Sequence, residues 1–456
     1  MIASSPIACF SKVVASRGGR CIFDITDLVR FAHGDAQLTG IPRVALTLAS
    51  QARALRPDRV TIGYFDVVGA TYRILADPEI IADQRALRGH LRKVTSNVRQ
   101  VKFWKGEIRR TYHEIVRRTT LEALRRYCAL SRRRSPDIEF SFRQTDRIIC
   151  LGSGWDTLDL LAYLSVENGI KRHGAELAVL VHDMIPFLLP AKMSGVHPAL
   201  FKHWLGRILG MDATLLFYSS QTRQDALNWC REQKYAQPLY RKIRLGDELL
   251  LTQKAATRDL VHRLPPNDFI LLVGSIGGRK NGLNLLKAWQ RLRAASKTTA
   301  LPKLVFAGSS TAQELKDLFP EALDWLELVF IAKPNDTELN HLYRNCLFTV
   351  YPSLYEGWGL PVGESLWHGK ICAASYCSSM PEVGGYDCDY FDPCNPADIE
   401  QTLWRLIFDD HYRAQRMSGI DRGRLQSWQD SAQGLLHALD EPARAAANES
   451  RFAWAS

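Results

Sequence analysis

Tyr351-Pro-Ser-Leu-Tyr-Glu-Gly-Trp-Gly-Leu-Pro-Val-Gly-Glu-Ser-Leu-Trp-His-Gly-Lys370 is the stretch on which the reading of this chain turns. It follows Leu347–Val350, a short β-branched and aromatic run that reads as a buried strand. It leads through an amphipathic segment to a second apolar run, Ile371–Ala374. The order is strand, loop, helix. Gly357 and Gly359 let the loop turn and let backbone amides approach a ligand, and Pro361 suits a helix start because its missing N–H costs nothing there. A helix beginning near Pro361 puts Glu364 in the first turn. Helical side chains lean toward the N-terminus, so its carboxylate is expected to point back at the loop carrying Glu356 and bring both acids to one pocket.

A helix start presents unpaired N–H groups and partial positive charge, which suits an anion, phosphate above all. Carboxylates beside a phosphate make sense when they hold hydroxyls, so a ligand bearing both, a nucleotide sugar, fits the stretch. An ordinary strand-turn-helix with acids near its helix start would explain the two glutamates alone. The full spelling Glu-Gly-Trp-Gly-Leu-Pro-Val-Gly-Glu from Glu356 to Glu364 is more specific. It resembles the signature of the retaining glycosyltransferases of family 4, which have the two-domain GT-B fold. The resemblance extends from about Arg20 to Asp410 and is weakest over a basic insertion.

At 456 residues the chain can build two full cores, and 46% hydrophobic with 23% charged residues is the balance of a globular protein. No apolar run reaches the ~18 residues that a membrane span needs. The patch Ile7–Phe10 precedes Lys12 and Arg17 rather than following them, a poor signal peptide. Ten cysteines without close pairs and twelve scattered histidines imply a reduced, cytoplasmic protein without structural zinc.

The expected fold class is α/β, two facing doubly wound Rossmann-like units with a cleft between them. Strand-like and helix-like runs alternate: Arg20–Thr26, Ile41–Leu55 (helix), Val60–Asp66, Arg147–Leu151, Thr157–His173 (helix), Leu177–His182 and Thr214–Tyr218. A second series runs Phe269–Val273, Lys303–Ala307, Leu328–Ile331, Phe348–Val350 and Ile371–Ala374. The expected divisions are a flexible extension at 1–19, an acceptor-side unit at 20–250 with a basic insertion at 85–134, a nucleotide-sugar unit at 251–425 and a C-terminal tail at 426–456. The insertion holds sixteen Lys and Arg against three Glu, an excess that accounts for the whole net charge of +11. Solvated basic helices explain it, and so does attachment to an anionic membrane surface assisted by Val101, Phe103 and Trp104. Nucleic acid is not expected, because no recognisable binding signature accompanies the charge.

After Phe269–Gly274 the loop Ser275-Ile-Gly-Gly-Arg-Lys-Asn-Gly282 offers Arg279 as a fork and Lys280 as a point charge to a diphosphate. It resembles the family's second landmark, which makes Lys280 the diphosphate lysine. Many members carry a further arginine where this chain has Ser275, so Arg279 is left to supply the second charge. Gly40 and Arg43, in Thr39-Gly-Ile-Pro-Arg43, read either as a plain helix start or as the family's glycine-bearing N-terminal loop. His182 and Asp183 close a strand before Pro186 and resemble the segment beside the transferred sugar. Glu382, in Ser378-Ser-Met-Pro-Glu-Val-Gly-Gly385, is expected to brace its loop.

The resemblance implies a retaining, metal-independent hexosyltransferase. It would move a sugar, mannose or rhamnose first, from a nucleotide-diphosphate donor to a saccharide or polyprenyl-linked acceptor in surface-polysaccharide synthesis, at the inner face of the membrane and without a cofactor. It assigns Glu356 to donor-sugar hydroxyls, Glu364 to ribose hydroxyls and His182 to sugar or acceptor, while Lys280, Arg279 and the amides around Gly359 and Leu360, at the helix start that Pro361 opens, are expected to meet the charge of the leaving group. No carboxylate is placed as a covalent nucleophile, so front-face attack assisted by the leaving phosphate is implied. A sugar-nucleotide epimerase, a phosphorylase, or a polysaccharide- or membrane-binding scaffold are the alternatives.

Overall fold

The computed structural model describes residues 19–33, 38, 40–66, 71–95, 136–155, 166–167, 169–190, 197–251, 256–296, 300–441 and 444–445. The N-terminal extension, nearly all of it, and residues 96–135 of the basic insertion lie outside the described residues, as does the first part of the 157–173 helix.

Two sheets organise the described chain. The first contains β1 (Cys21–Asp24), β2 (Val60–Asp66), β3 (Thr71–Ile74), β4 (Ile138–Glu139), β5 (Arg147–Cys150), β6 (Glu176–Leu180), β7 (Thr214–Phe217) and β8 (Leu239–Lys242). The second contains β9 (Phe269–Val273), β10 (Lys303–Gly308), β11 (Leu328–Ala332), β12 (Phe348–Tyr351), β13 (Cys372–Ser375) and β14 (Cys388–Phe391), and β15 (Arg444–Ala445) returns to the first. Among the described residues the orders are β15-β8-β7-β6-β5-β1-β2-β3-β4 and β11-β10-β9-β12-β13-β14. The second sheet is parallel throughout. In the first, β2, β1, β5, β6, β7 and β8 run parallel, and β3, β4 and β15 pair antiparallel at its edges.

Central strands of such sheets are covered on both faces, which is why β9 reads Phe-Ile-Leu-Leu-Val without a polar break. Its side chains alternate between two layers. Ile270 and Leu272 join Leu285, Trp289 and Leu403, from the helices Gly282–Ala295 and Pro396–Phe408. Phe269 and Leu271 join Leu342 and Tyr343, from the helix Asp336–Asn345. Helix Ile41–Leu55 and strands β2 and β9 have the ends read from sequence. Strands β3, β8 and β14 were not anticipated.

Residues 426–456 were expected to be a tail, and the described part of them is not. The helix Trp428–Asp440, opened by a Ser427/Asp430 capping box, packs against helix Ile41–Leu55. It buries Leu435 and Leu439 in the cluster that holds Leu48 and Ala52. The Trp428 indole donates to the Glu248 carbonyl at 2.9 Å, and Asp440 takes a two-pronged pair from Arg59 at 2.8 and 2.6 Å. The chain therefore leaves the first unit, builds the second and comes back to finish the first. Leu435 is fully buried, so Leu435→Ala is expected to cost about 2–5 kcal/mol. Chemical denaturation followed by far-UV circular dichroism checks this; a loss below about 0.5 kcal/mol would mean the helix carries no core.

Candidate active site

In the second sheet the strand order reverses direction between β9 and β12, and in open parallel sheets ligands bind beyond the carboxyl ends of the strands at that point. Two loops leave there. The β9 exit carries Gly274–Asn281, ending in a 3-10 turn at Gly278–Lys280. The β12 exit carries Pro352–Gly359. Asn281, in the left-handed region at φ 61°, ties them together: its side-chain amide donates to the carbonyls of Pro352 at 3.0 Å and Pro393 at 2.7 Å. The Leu354 amide donates to the Arg279 carbonyl at 2.8 Å.

This brings three predicted residues together. Glu356 is buried, and its Oε1 pairs with Lys280 Nζ at 2.7 Å and with the Arg279 guanidinium. Burial alone would raise its pKa, but Lys280 and Arg279 overcome that and hold the carboxyl down at about 2. Burial pulls Lys280 below the usual lysine value, against the opposing pull of Glu356. One carboxylate and two cations leave the cluster with one net positive charge. Tyr351 completes it, with its hydroxyl 2.5 Å from Lys280 Nζ and 3.1 Å from Glu356 Oε1. Sequence reasoning missed Tyr351, because a tyrosine at a strand end reads as core. The loop is stapled from behind: Ser378 Oγ accepts from the Glu356 amide at 2.9 Å, and Ser379 Oγ donates to the carbonyls of Glu356 at 2.9 Å and Trp358 at 2.6 Å.

The helix after the loop spans Leu360–Trp367, one residue earlier than expected. Pro361 sits in its opening turn, Gly359 stands at its N-cap with φ 106°, and no side-chain hydrogen bond caps that start. Glu364 is thus the fifth helical residue, past the first turn. Its Oε2 accepts from the Tyr343 hydroxyl at 2.7 Å, and its Oε1 lies 3.8 Å from Arg43 of the first unit, which is also 3.9 Å from Asp336. Burial raises the Glu364 pKa, and Arg43 works against it. The two glutamates therefore occupy the same loop-helix but hold separate partners. Gly40, at φ 59° and exposed, precedes the Arg43 helix in a conformation that favours glycine, with open space around its α-carbon.

The first unit meets this loop directly. A Cβ on Gly357 would stand 2.0 Å from the His182 carbonyl oxygen and 3.0 Å from the Asp183 Cβ, so only glycine fits that approach. The His182 ring corrects its expected role. It is fully buried, with Nε2 2.7 Å from the Leu151 carbonyl and Nδ1 3.3 Å from the Tyr218 hydroxyl. Burial lowers its pKa to about 4, against the pull of the Leu151 carbonyl. A neutral imidazole with both nitrogens engaged inside its own unit braces the loop rather than facing a sugar. Asp183 is the residue that faces the cluster. Its Oδ1 accepts from the Ile185 amide at 2.9 Å, and burial lifts its pKa to about 6, with Arg279 pulling down and Glu356 pushing up.

Glu382 was expected to brace its own loop, and its carboxylate instead reaches the first unit. Its carboxylate accepts from the amides of Ser220 at 2.7 Å and Gln221 at 3.0 Å, at the start of helix Ser220–Glu232 in the first unit. The Tyr355 hydroxyl donates to Asp225 Oδ2 at 2.5 Å across the same junction. Neither crossing was legible in sequence. Among the described residues, no group of three or more His, Cys, Asp or Glu is arranged to hold a metal ion.

Residues 260–418 match the family model described as glycosyl transferases group 1. Among curated proteins, the chain is similar to the serotype-specific mannosyltransferase WbdA of Escherichia coli, 26% identical over 260 residues, or 55% of this chain and 32% of that protein. It is also similar to O-antigen chain mannosyltransferase B of Escherichia coli, 25% identical over 213 residues, or 42% of this chain and 54% of that protein. The matches thus span about a third to a half of those relatives' lengths. Among solved structures, sucrose-phosphate synthase from Thermosynechococcus elongatus aligns with a TM-score of 0.57 at 15% identity, covering 92% of this chain and 97% of that one. Anabaena Alr3699/HepE, in complex with UDP and glucose, aligns with a TM-score of 0.55 at 14% identity, covering 93% and 100%. At such identities the likeness speaks for the fold, and the fold is GT-B.

Gly357→Ala forces a methyl group onto the His182 carbonyl, so the two units must part at this contact. Its expected signature is a larger radius of gyration by small-angle scattering with secondary structure retained. Unchanged scattering and an unchanged melting temperature would show that the junction gives way locally.

Proposed function

We propose, from the match of residues 260–418 to the family model described as glycosyl transferases group 1, that this chain transfers a hexose from a nucleotide-diphosphate sugar to a saccharide or polyprenyl-linked acceptor during cell-surface polysaccharide synthesis, with retention and without a metal ion. The observation that carries the reading is the Lys280–Glu356–Arg279 cluster at the reversal point of the second sheet, with Asp183 of the first unit facing it. Mannose is the first sugar to try, because WbdA and the O-antigen relative are named mannosyltransferases; rhamnose is the second.

In this reading the donor diphosphate lies against Lys280, Arg279 and the amides at Gly359 and Leu360, with Pro361 starting the helix. When the C1–O bond breaks, its electron pair moves to a diphosphate oxygen, and the fixed cations meet the charge that develops there, the task a metal ion would otherwise perform. The acceptor hydroxyl attacks from the same face, and its proton passes to the leaving phosphate. Glu356 holds donor-sugar hydroxyls and Glu364 the ribose. Gly40 brings its backbone N–H toward the donor phosphate, Arg43 and Asp183 line the side from which the acceptor approaches, and His182 keeps Asp183 in place. Sugar, diphosphate and protein groups supply all the chemistry, so no cofactor is needed.

Attachment to an anionic membrane belongs to the same proposal. In the described part of the basic segment, helix Gln84–Val94 turns Leu87 and Leu91 into its own core and leaves Arg85, Arg92 and Lys93 exposed. That face offers charge alone, and Val101, Phe103 and Trp104 lie outside the described residues. No described helix is long and apolar enough to cross a membrane.

A screen of GDP-, UDP- and dTDP-sugars, scored by release of nucleoside diphosphate only when acceptor is present, tests the reaction class; release without acceptor, or none with any donor, counts against transfer. Lys280→Ala and Glu356→Ala are each expected to lower turnover about a hundredfold with the fold intact, and wild-type turnover in either removes that residue from the mechanism. With anionic vesicles, the purified protein is expected to co-sediment at low salt and to release as salt rises. Failure to sediment at low salt ends the membrane reading.

A further inference from the structure

We propose that Tyr351 is a positioning residue for diphosphate recognition: its hydroxyl and Glu356 together take two of the three N–H bonds of Lys280 and thereby aim the third at the ligand. This rests on the transferase reading above and deepens it. Tyr351 is the last residue of β12 and is buried at 3% exposure. Its hydroxyl lies 2.5 Å from Lys280 Nζ and 3.1 Å from Glu356 Oε1, so it accepts from the ammonium and donates to the carboxylate. Glu356 Oε1 takes a second lysine N–H at 2.7 Å, and the phenol ring lies 4.7 Å from Nζ.

A lysine ammonium is a point charge on a flexible stem with three donors and no preferred direction. Anchored at two of its donors, it has a direction. The anchor itself is rigid, because β12 is hydrogen-bonded into the sheet interior and Asn281, next to the lysine, holds the Pro352 carbonyl, next to the tyrosine. Without the hydroxyl, the ammonium would lean on Glu356 alone and lose one of the contacts that favour its charged form. The charged and titratable groups around Lys280 are Glu356 and Arg279 from its own unit, Tyr351 beneath it and Asp183 from the facing unit. Burial already holds the lysine below its ordinary value, so the loss of an acceptor moves it further in that direction.

The test is calorimetric binding of GDP, UDP and inorganic pyrophosphate to the full chain and to Tyr351→Phe from pH 6 to 10. For whichever diphosphate binds wild type, Tyr351→Phe is expected to bind about tenfold more weakly at neutral pH, and the alkaline loss of binding is expected to begin at lower pH. Equal affinity and an equal alkaline midpoint overturn the proposal. So does a uniform loss at every pH, which is what a packing role alone would give. Site-specific 3-fluorotyrosine at 351 keeps the hydroxyl as a weaker acceptor; it is expected to fall between the two, and it covers the case in which the Phe variant does not fold. If wild type binds none of the three probes, nor dTDP, the transferase reading itself fails, an outcome distinct from a wild type and variant that behave alike.

Discussion

A carboxylate taken out of water and set against two cations is the interaction on which this site depends. Glu356 is almost wholly buried, and an unpaired buried carboxylate would cost several kcal/mol or simply take up a proton. Lys280 and Arg279 prevent both outcomes. Because the acid comes from the β12 exit and the cations from the β9 exit, the pairing also fixes two loops that are distant in sequence and adjacent in space. Sheet order puts them side by side; charge keeps them in register. Asn281 and the Ser378–Ser379 staple then remove the remaining freedom of each loop.

The second constraint is steric. Gly357 touches the His182 carbonyl so closely that no side chain fits between them, which sets how near the first unit can come to the cluster. Glu382 and Tyr355 fasten the same junction through the helix Ser220–Glu232. On another side, the helix Trp428–Asp440 crosses back and buries its leucines in the first unit. The units are therefore joined by chain at two places and by side chains between them, among them Glu382, Tyr355 and the Arg43–Glu364 pair, and Asp183 faces Glu356 as a result.

Much of this was legible in sequence wherever one local signal decided the outcome. An uninterrupted apolar run gave β9 and a β-branched and aromatic run gave β12, the glycine-and-proline loop gave the helix start to within one residue, and the resemblance of two loops to a family pattern pointed to Lys280, Arg279 and Glu356. What escaped depends on partners far along the chain. The imidazole of His182 points into its own unit because Leu151 and Tyr218 receive it there, and nothing near position 182 says so. Strands β3, β8 and β14 are short and mix polar with apolar residues, as edges and near-edges do, so no period marks them. The helix Trp428–Asp440 did carry a signal, a Ser427/Asp430 box before leucines at helical spacing. That box stands beyond the end of the second series of strands, where the strand-helix alternation no longer points to a packed element.

The two signature glutamates sit in contrasting electrical surroundings. Both are buried, and each is touched by a tyrosine hydroxyl, Tyr351 for Glu356 and Tyr343 for Glu364. Glu356 draws its cations from its own unit, at hydrogen-bonding distance, and is held down at about 2. Glu364 draws Arg43 from the other unit at 3.8 Å, and for it burial wins and the pKa rises. The charge on Glu356 is thus a property of one folded unit. The charge on Glu364 is shared between two, since withdrawing the helix that begins at Ile41 withdraws Arg43 and leaves burial less opposed. Separation of the units therefore acts unequally on the two acids: it leaves Lys280 and Arg279 beside Glu356 while withdrawing the charge of Asp183 from the cluster, and it takes Arg43 away from Glu364.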